Sequence, residues 1–519
     1  MELKKKYIHM SHEKGRAMSQ VTLDDDYNVP ESKPDIVRII TTKGSIRLEE
    51  AKAETGHVLL KGNLGFQVLY RSDGEETGIA YLEGEIPFSE TVNLDGAEEF
   101  DPVKATWDIE DLNIGIINSR KLSIRSLIVF HVQMDEVCDE EISYAMENED
   151  EYEIRKENIE ALQLVTAKKD TCRFKNEIIL PSNKPNIHEL LWKNVQLRGL
   201  ESRIGEDVIQ FNGELLIYIL YQGNEEDERL QWLETTVPLQ GEVDCSGCRD
   251  QLVSYVGVDD VSFDVEVKPD YDGEERMLVV DAVADLDIKL WEEEQFEMLQ
   301  DVYSLKENVR PVFEDITFEK LLMKNNAKCR ASEQLQLEAT QENMLQICCA
   351  EGVQIDTHEI SGNGVYVEGT VAVELLYITT DDEMPIGSLK GFLPFHQTIE
   401  VPGIEKNSRY EIESGLEQLT TILIDNTQVE IKAVINLNLI AFSIGNRKRV
   451  QEVNCQEADY ESLQKIPGLV GYIVKDGDDI WNIAKENHTT VREIMETNEL
   501  SSDRVGKGDK LLIVKNMGA

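Results

Sequence analysis

The chain has no run of about 18 consecutive apolar residues, so no segment is built to cross a bilayer as a helix. It is short of positive charge: 52 Lys and Arg stand against 101 Asp and Glu, a net charge of -49. A surface of that sign repels nucleic acid and anionic lipid, so neither nucleic-acid binding nor membrane insertion is expected; its bland consequence is solubility. The other expectation it allows is steering toward a basic partner surface. Eight cysteines (Cys138, Cys172, Cys245, Cys248, Cys329, Cys348, Cys349 and Cys455) are scattered over 519 residues and read as reduced cytosolic thiols. The first ten residues carry Lys4, Lys5 and Lys6 with no apolar stretch after them, which does not read as a secretory signal.

Catalytic and metal-binding patterns are missing too. There is no G-x-S-x-G and no G-x-x-x-x-G-K. His188-Glu189 starts like a zinc-protease pair, but Trp192 stands where the second His belongs. Cys245-Ser246-Gly247-Cys248 is a lone C-x-x-C between strands, without the second pair that zinc needs. Asp270-Tyr271-Asp272-Gly273 lacks the rest of a calcium loop. Acid pairs abound because acids abound, so they do not argue for hydrolysis. The expectation is a protein that is not an enzyme, with no cofactor and no metal.

What the chain does have is one unit written three times. Gly62, Gly213 and Gly369 each precede a tyrosine by eight positions (Tyr70, Tyr221 and Tyr377), and each tyrosine precedes a proline by seventeen (Pro87, Pro238 and Pro394). Between glycine and tyrosine every second residue is apolar: Leu64, Phe66 and Val68; Leu215, Ile217 and Ile219; Val371, Val373 and Leu375. Period two is one face of a strand, and the mixed opposite face belongs to a sheet covered on one side. A later alternating strand recurs at Leu122 to Val132, Leu278 to Ile288 and Val429 to Leu439. Pro30 and Pro34 stand 151 residues before Pro181 and Pro185; the third copy departs there, with Glu338 and Glu342. Short alternating strands broken by Gly, Asp and Asn predict tandem antiparallel β-sandwich-like domains, a mainly β chain. Strand glycines read as bulges or close backbone approach, and the shared Tyr and Pro as core and edge.

The expected organisation is an N-terminal arm (1–27), a β domain (28–137), an acidic linker (138–159, partly helical toward Leu162), a second β domain (160–293), a linker (294–317), a third β domain (318–445), a linker (446–469) opening with Arg447-Lys448-Arg449, and a small α+β module (470–516). In that module Tyr472-Ile473-Val474 reads as a strand, and Lys475-Asp476-Gly477-Asp478 as a turn ending in a helix N-cap. Ile480, Ile483 and Ala484 give one apolar helix face with Trp481 beside it; Asn487 ends the helix. Thr490 and Glu493 form a capping box for a second helix bearing Val491, Ile494 and Met495, closed by Asn498 and Leu500. Lys510 to Val514 is a second strand, so the order is βααβ.

The module resembles a LysM domain over Gly471 to Lys515, carried by Tyr472, Val474, Gly477, Asp478, Ile480, Ile483, Ala484, Asn498, Leu500, Gly508, Leu511 and Ile513. The resemblance implies binding of N-acetylglucosamine glycans such as peptidoglycan or chitin. The groove it implies lies between the loop of Lys475, Asp476, Gly477, Asp478 and Asp479 and the loop of Asn498, Glu499, Leu500, Ser501 and Ser502. Two residues depart from the family pattern: Asp479 stands where Thr is usual, and Asp509 where Gln is frequent. A carboxylate at the rim must keep its water or find a donor, which weakens sugar contact and leaves a protein ligand equally open. Trp481, beside the apolar stripe and expected to be partly exposed, is the leading contact candidate.

Three β units followed by one LysM domain resemble the SPOCS-domain sporulation proteins of the SipL type. The landmarks are Pro34-Asp35-Ile36 and Pro185-Asn186-Ile187, the three Gly-to-Tyr strands, and Asp301-Val302-Tyr303-Ser304. The resemblance implies a scaffold made in the mother-cell cytoplasm of an endospore-former. It implies recruitment to the forespore surface, then the spore coat, and a LysM domain that joins a coat morphogenetic ATPase of SpoIVA type, with other coat proteins as further partners.

Overall fold

The computed structural model describes residues 2–73, 78–224, 230–337, 345–379, 385–425, 428–457, 464–465 and 467–516. Glu338 and Glu342 lie outside the described residues, as do the side chains of Cys348 and Cys349.

Each repeat is six antiparallel strands in two three-stranded sheets. In the first unit these are β1 (Leu3–Asn28), β2 (Ile36–Glu54), β3 (His57–Ser72), β4 (Ile79–Asn93), β5 (Val103–Asn118) and β6 (Lys121–Met146). One sheet has the order β1-β6-β5 and the other β2-β3-β4. The second unit repeats this with β7 (Glu153–Ile179), β8 (Ile187–Ile204), β9 (Val208–Gly223), β10 (Leu230–Asp244), β11 (Val253–Pro269) and β12 (Glu275–Tyr303). The third does so with β13 (Glu307–Gln336), β14 (Leu345–Ser361), β15 (Gly364–Ile378), β16 (Ile386–Glu400), β17 (Arg409–Asp425) and β18 (Gln428–Glu457). The two alternating strands seen in the sequence are the middle strands of the two sheets, and their apolar faces meet. Leu64, Phe66, Val68 and Tyr70 of β3 share one core with Leu122, Ile124, Ile128 and Phe130 of β6. The tandem β-sandwich expectation holds.

The repeated glycine, tyrosine and proline acquire physical causes. A Cβ on Gly62 would stand 2.3 Å from the Arg47 carbonyl oxygen, and one on Gly369 2.3 Å from that of Gln354, each also against a phenylalanine ring. Gly213 is roomier, with the Arg198 oxygen at 3.2 Å. The buried Tyr70 hydroxyl donates to the Pro34 carbonyl at 3.1 Å, and that of Tyr221 to Pro185 at 3.3 Å. The proline landmark and the strand tyrosine are therefore the two ends of one hydrogen bond. Pro87, Pro238 and Pro394 lie in edge strands β4, β10 and β16, where a missing N–H is tolerated.

The lone C-x-x-C is also a repeat feature. Cys248 N–H donates to the Cys245 carbonyl, as Ala97 does to Leu94 and Ile404 to Val401. Gly96, Gly247 and Gly403 hold the same left-handed φ of 83°, 83° and 80° in these turns. Both cysteines are buried core residues in places that the other copies fill with aliphatics. Burial, followed by the neighbouring Cys245, pushes the Cys248 thiol up to about 12, so it stays protonated.

The expected arm and linkers are corrected. Residues 3–28 form β1, paired along its length with β6. The stretches read as linkers are the outer ends of first and last strands: β6 runs to Met146, β7 opens at Glu153 with no helix at Leu162, β12 runs to Tyr303 and β13 opens at Glu307. Beyond Asn446, β18 continues to Glu457. Equivalent residues of these ends pack together. Ile8, Ile159 and Ile316 share a cluster with Met10, Ala161 and Phe318, and Met146 meets Val302 and Val453. At the other end of the sandwiches Leu69, Leu220 and Leu376, one from the middle strand of each unit, meet. The three units thus stand around a common axis. The acidic text hid this because many of the intervening residues there, such as Lys5, Glu141 and Glu160, are charged and at least partly exposed. Two residues of the triplet Arg447-Lys448-Arg449 serve the same assembly: Arg447 pairs with Glu157, and Arg449 with Glu140 and Glu314.

The C-terminal module consists of β19 (Leu469–Ile473), α1 (Ile480–Glu486), α2 (Val491–Thr497) and β20 (Lys510–Val514). The βααβ order is as read. The capping box of Thr490 and Glu493 is present in full. The first cap is displaced by one residue: Asp479, not Asp478, accepts from Asn482 N–H.

Candidate functional site

The two loops flanking the expected groove are built from turns that use up most of their own polar groups. Asp478 accepts from Lys475 N–H and from the Tyr472 hydroxyl, both at 2.8 Å, and the first of these followed by the second holds its carboxyl below the usual range. Gly477 has φ +88°, a left-handed position that closes this turn. Asn498 donates to the carbonyls of Ile494 and Leu512 and accepts from Leu512 N–H, tying α2 to β20. Asp509, the second departure from the LysM pattern, closes the Gly506–Asp509 turn by accepting from Gly506 N–H at 2.8 Å. Leu500 is half-buried against the module core. What remains exposed on the two loops is Lys475, Asp476, Gly477, Glu499, Ser501 and Ser502.

Asp479 and Trp481 are placed differently from expectation. Trp481 is not partly open to solvent: it is 8% exposed and lies between the module and the end of β12. Its indole N–H donates to Asp301 Oδ2 at 2.8 Å, and its ring meets Tyr303 edge to face at 4.9 Å between centroids. Lys485 Nζ, one turn further along α1, donates to both Asp301 oxygens at 2.8 Å. The Tyr303 hydroxyl donates to the Thr489 carbonyl at 2.9 Å. Burial, followed by the carboxylates of Glu153 and Asp301, raises the Tyr303 pKa and keeps it a donor. Arg155 at the start of β7 donates to Asp479 Oδ2 at 2.8 Å. The rim carboxylate has found its donor, and that donor belongs to the second β unit.

Reading the sequence found the module and missed its seat. Asp301 and Tyr303 stood out as a landmark, but their partners lie about 180 residues away, and nothing local in Arg155 marks it. A second missed feature is the outer face of the β19–β20 sheet. The pairing sets Leu469 beside Val514, Gly471 beside Leu512 and Ile473 beside Lys510. The inward residues Val470, Tyr472, Leu511 and Ile513 fill the module core. The outward Leu469, Ile473, Leu512 and Val514 are 62%, 61%, 43% and 44% exposed. Among the described residues no three His, Cys, Asp or Glu side chains are grouped to hold a metal ion, and no helix is long and apolar enough to cross a membrane.

Comparison with protein families matches the chain twice over. The family described as SipL, SPOCS domain, matches residues 35–117, 186–268 and 343–424, the second to fifth strands of each unit. The LysM domain family matches residues 472–514. No curated protein and no solved structure matches the chain.

Proposed function

We propose, from the premise that this is a SipL-type chain of three SPOCS domains followed by one LysM domain, that it is a non-enzymatic scaffold that helps assemble or attach the spore coat. Its domain composition fits a sporulation-associated protein with a module of a peptidoglycan-binding family, and both families are binding or scaffold domains. In this reading the protein works in the mother-cell cytoplasm at the forespore surface and later in the coat. The LysM module grips a coat morphogenetic ATPase of SpoIVA type, and the triplicated β units serve contacts with further coat proteins. The observation that carries the protein-partner reading is the bare sheet face of Leu469, Ile473, Leu512 and Val514. A clustered aliphatic face suits another protein surface, whereas the many hydroxyls of a pyranose call for polar partners. The test is deletion of residues 470–519 in sporulating cells. Loss of recruitment to the forespore supports the reading; normal localisation of the truncated chain refutes it.

A second reading is kept on a separate observation. Ser501 and Ser502 remain exposed at the groove, beside the match to a glycan-binding family. In that reading the module grips N-acetylglucosamine glycan of the wall or cortex. Sedimentation with purified, protein-free peptidoglycan separates the two, since a clean pellet favours the glycan.

A further inference from the structure

The module follows the third β unit in the chain, yet the side chains that hold it belong to the second. Asp301 receives three donated hydrogen bonds, one from Trp481 and two from Lys485. Charge-assisted bonds of this kind are roughly twice as strong as neutral ones. Tyr303 covers the Trp481 ring and binds the Thr489 carbonyl behind it, while Arg155 takes Asp479. These contacts fall on two of the residues at the expected LysM groove, Trp481 and Asp479. Trp481 is the one aromatic among the candidate groove residues, and a pyranose stacks on an exposed aromatic face. Asp479 is the carboxylate at the rim of the first loop. Its Oδ1 accepts from Asn482 N–H and its Oδ2 from Arg155, so a sugar hydroxyl would have to displace a charged donor. The outward sheet face, by contrast, is untouched by the seat.

We infer that the second β unit is a built-in seat for the C-terminal module, and that seating sets its specificity: docked, it withholds Trp481 from N-acetylglucosamine oligosaccharides, ties the rim carboxylate Asp479 to Arg155, and leaves the apolar sheet face for a protein. Arg155, Asp301 and Tyr303 are positioning residues for that choice. Rigid docking also lowers the ordering cost when a partner binds the sheet face. The inference deepens the protein-partner reading and rests on it, but its test does not use the partner.

The test compares full-length wild type with Arg155→Ala/Asp301→Ala and, from the module side, Lys485→Ala/Trp481→Phe. Two readouts are taken on each: amide hydrogen exchange over residues 480–489, and titration with chitotetraose. The expected result for the body-side variant is faster exchange over 480–489 with the β-sheet circular dichroism retained, and chitotetraose binding at least about tenfold tighter than wild type. The module-side variant, which keeps an aromatic ring, should do the same if the body-side variant fails to fold. Exchange unchanged in a folded variant overturns the seat. Faster exchange with sugar affinity equal to wild type overturns the specificity role. Failure of the protein-partner reading is seen elsewhere, as normal localisation of the truncated chain, and so is distinguishable from either result.

Discussion

At the scale of single residues, the repeat arithmetic has a steric and a hydrogen-bonded cause. Gly62 and Gly369 are held by neighbouring carbonyl oxygens at 2.3 Å from any added Cβ, whereas Gly213 has 3.2 Å. A side chain forced against backbone shifts the strand and costs about 1–3 kcal/mol. Gly62→Ala is therefore expected to destabilise the first unit by that amount and Gly213→Ala to cost less than about 1 kcal/mol in the second. Hydrogen exchange of the two sandwich cores measures both; equal losses would contradict the steric account. These residues were legible in the sequence because their causes are local to one unit: glycine against its paired strand, tyrosine to the proline landmark 36 residues before it. Trp481 was legible as important and misread as exposed. What buries it comes from another unit, and a helix face beside an apolar stripe looks the same in sequence whether water or a tyrosine covers it.

At the scale of elements, the fifth strands of the three units bring their first residues together in a buried polar layer. Lys104 of β5 donates to the Tyr255 hydroxyl of β11 at 2.6 Å, and that hydroxyl donates to Glu413 of β17 at 2.8 Å. Nearby, Lys289 pairs with Asp135 and Glu411, and Arg409 with Glu319. Burial raises Glu413 to about 7, against the favourable pull of Lys104, and burial raises Glu319 to about 6. Burial also opposes ionisation of Asp135, but the Lys289 ammonium outweighs it and holds that carboxyl below the usual range. A carboxyl with a raised folded-state pKa stabilises the fold fully below its ordinary 4.5 and loses that contribution as pH climbs to about 7. Asp135 acts in the opposite sense and below this window, because its pKa is lowered from 3.8. Glu413 should therefore take stability from the fold between about pH 4.5 and 7, by roughly 3 kcal/mol at most. Glu413→Gln keeps an acceptor for Tyr255 and should flatten that slope. Thermal midpoints at pH 5 and pH 7.5 check it; an unchanged slope in the variant excludes Glu413 as the source. None of this layer could be read from the sequence. One buried carboxyl among 101 acidic residues carries no mark, and the long strands that bring the units together were hidden by alternate charged positions such as Lys5, Glu141 and Glu160.

At the scale of the whole molecule, three sandwiches share an axis through Leu69, Leu220 and Leu376 at one end and through Ile8, Ile159 and Ile316 toward the other. The number of units, their sandwich class and the βααβ module were legible because each is a local periodicity. Their arrangement was not, because each apolar residue of the axis faces two other copies rather than its own. The module sits at the end of β7 and β12 with one sheet face bare. The account therefore makes the chain a body that holds its C-terminal module in place and turns one apolar sheet face of that module outward. The measurement that tests this most directly is a solution titration of the full-length chain with a purified SpoIVA-type ATPase, for wild type and for Ile473→Glu/Leu512→Glu, with and without excess chitotetraose. The account predicts saturable wild-type binding, weakened at least about tenfold by the double substitution on the bare face, since two desolvated charges there cost several kcal/mol, and unaffected by the sugar. Binding that survives the double substitution and is displaced by chitotetraose would contradict it.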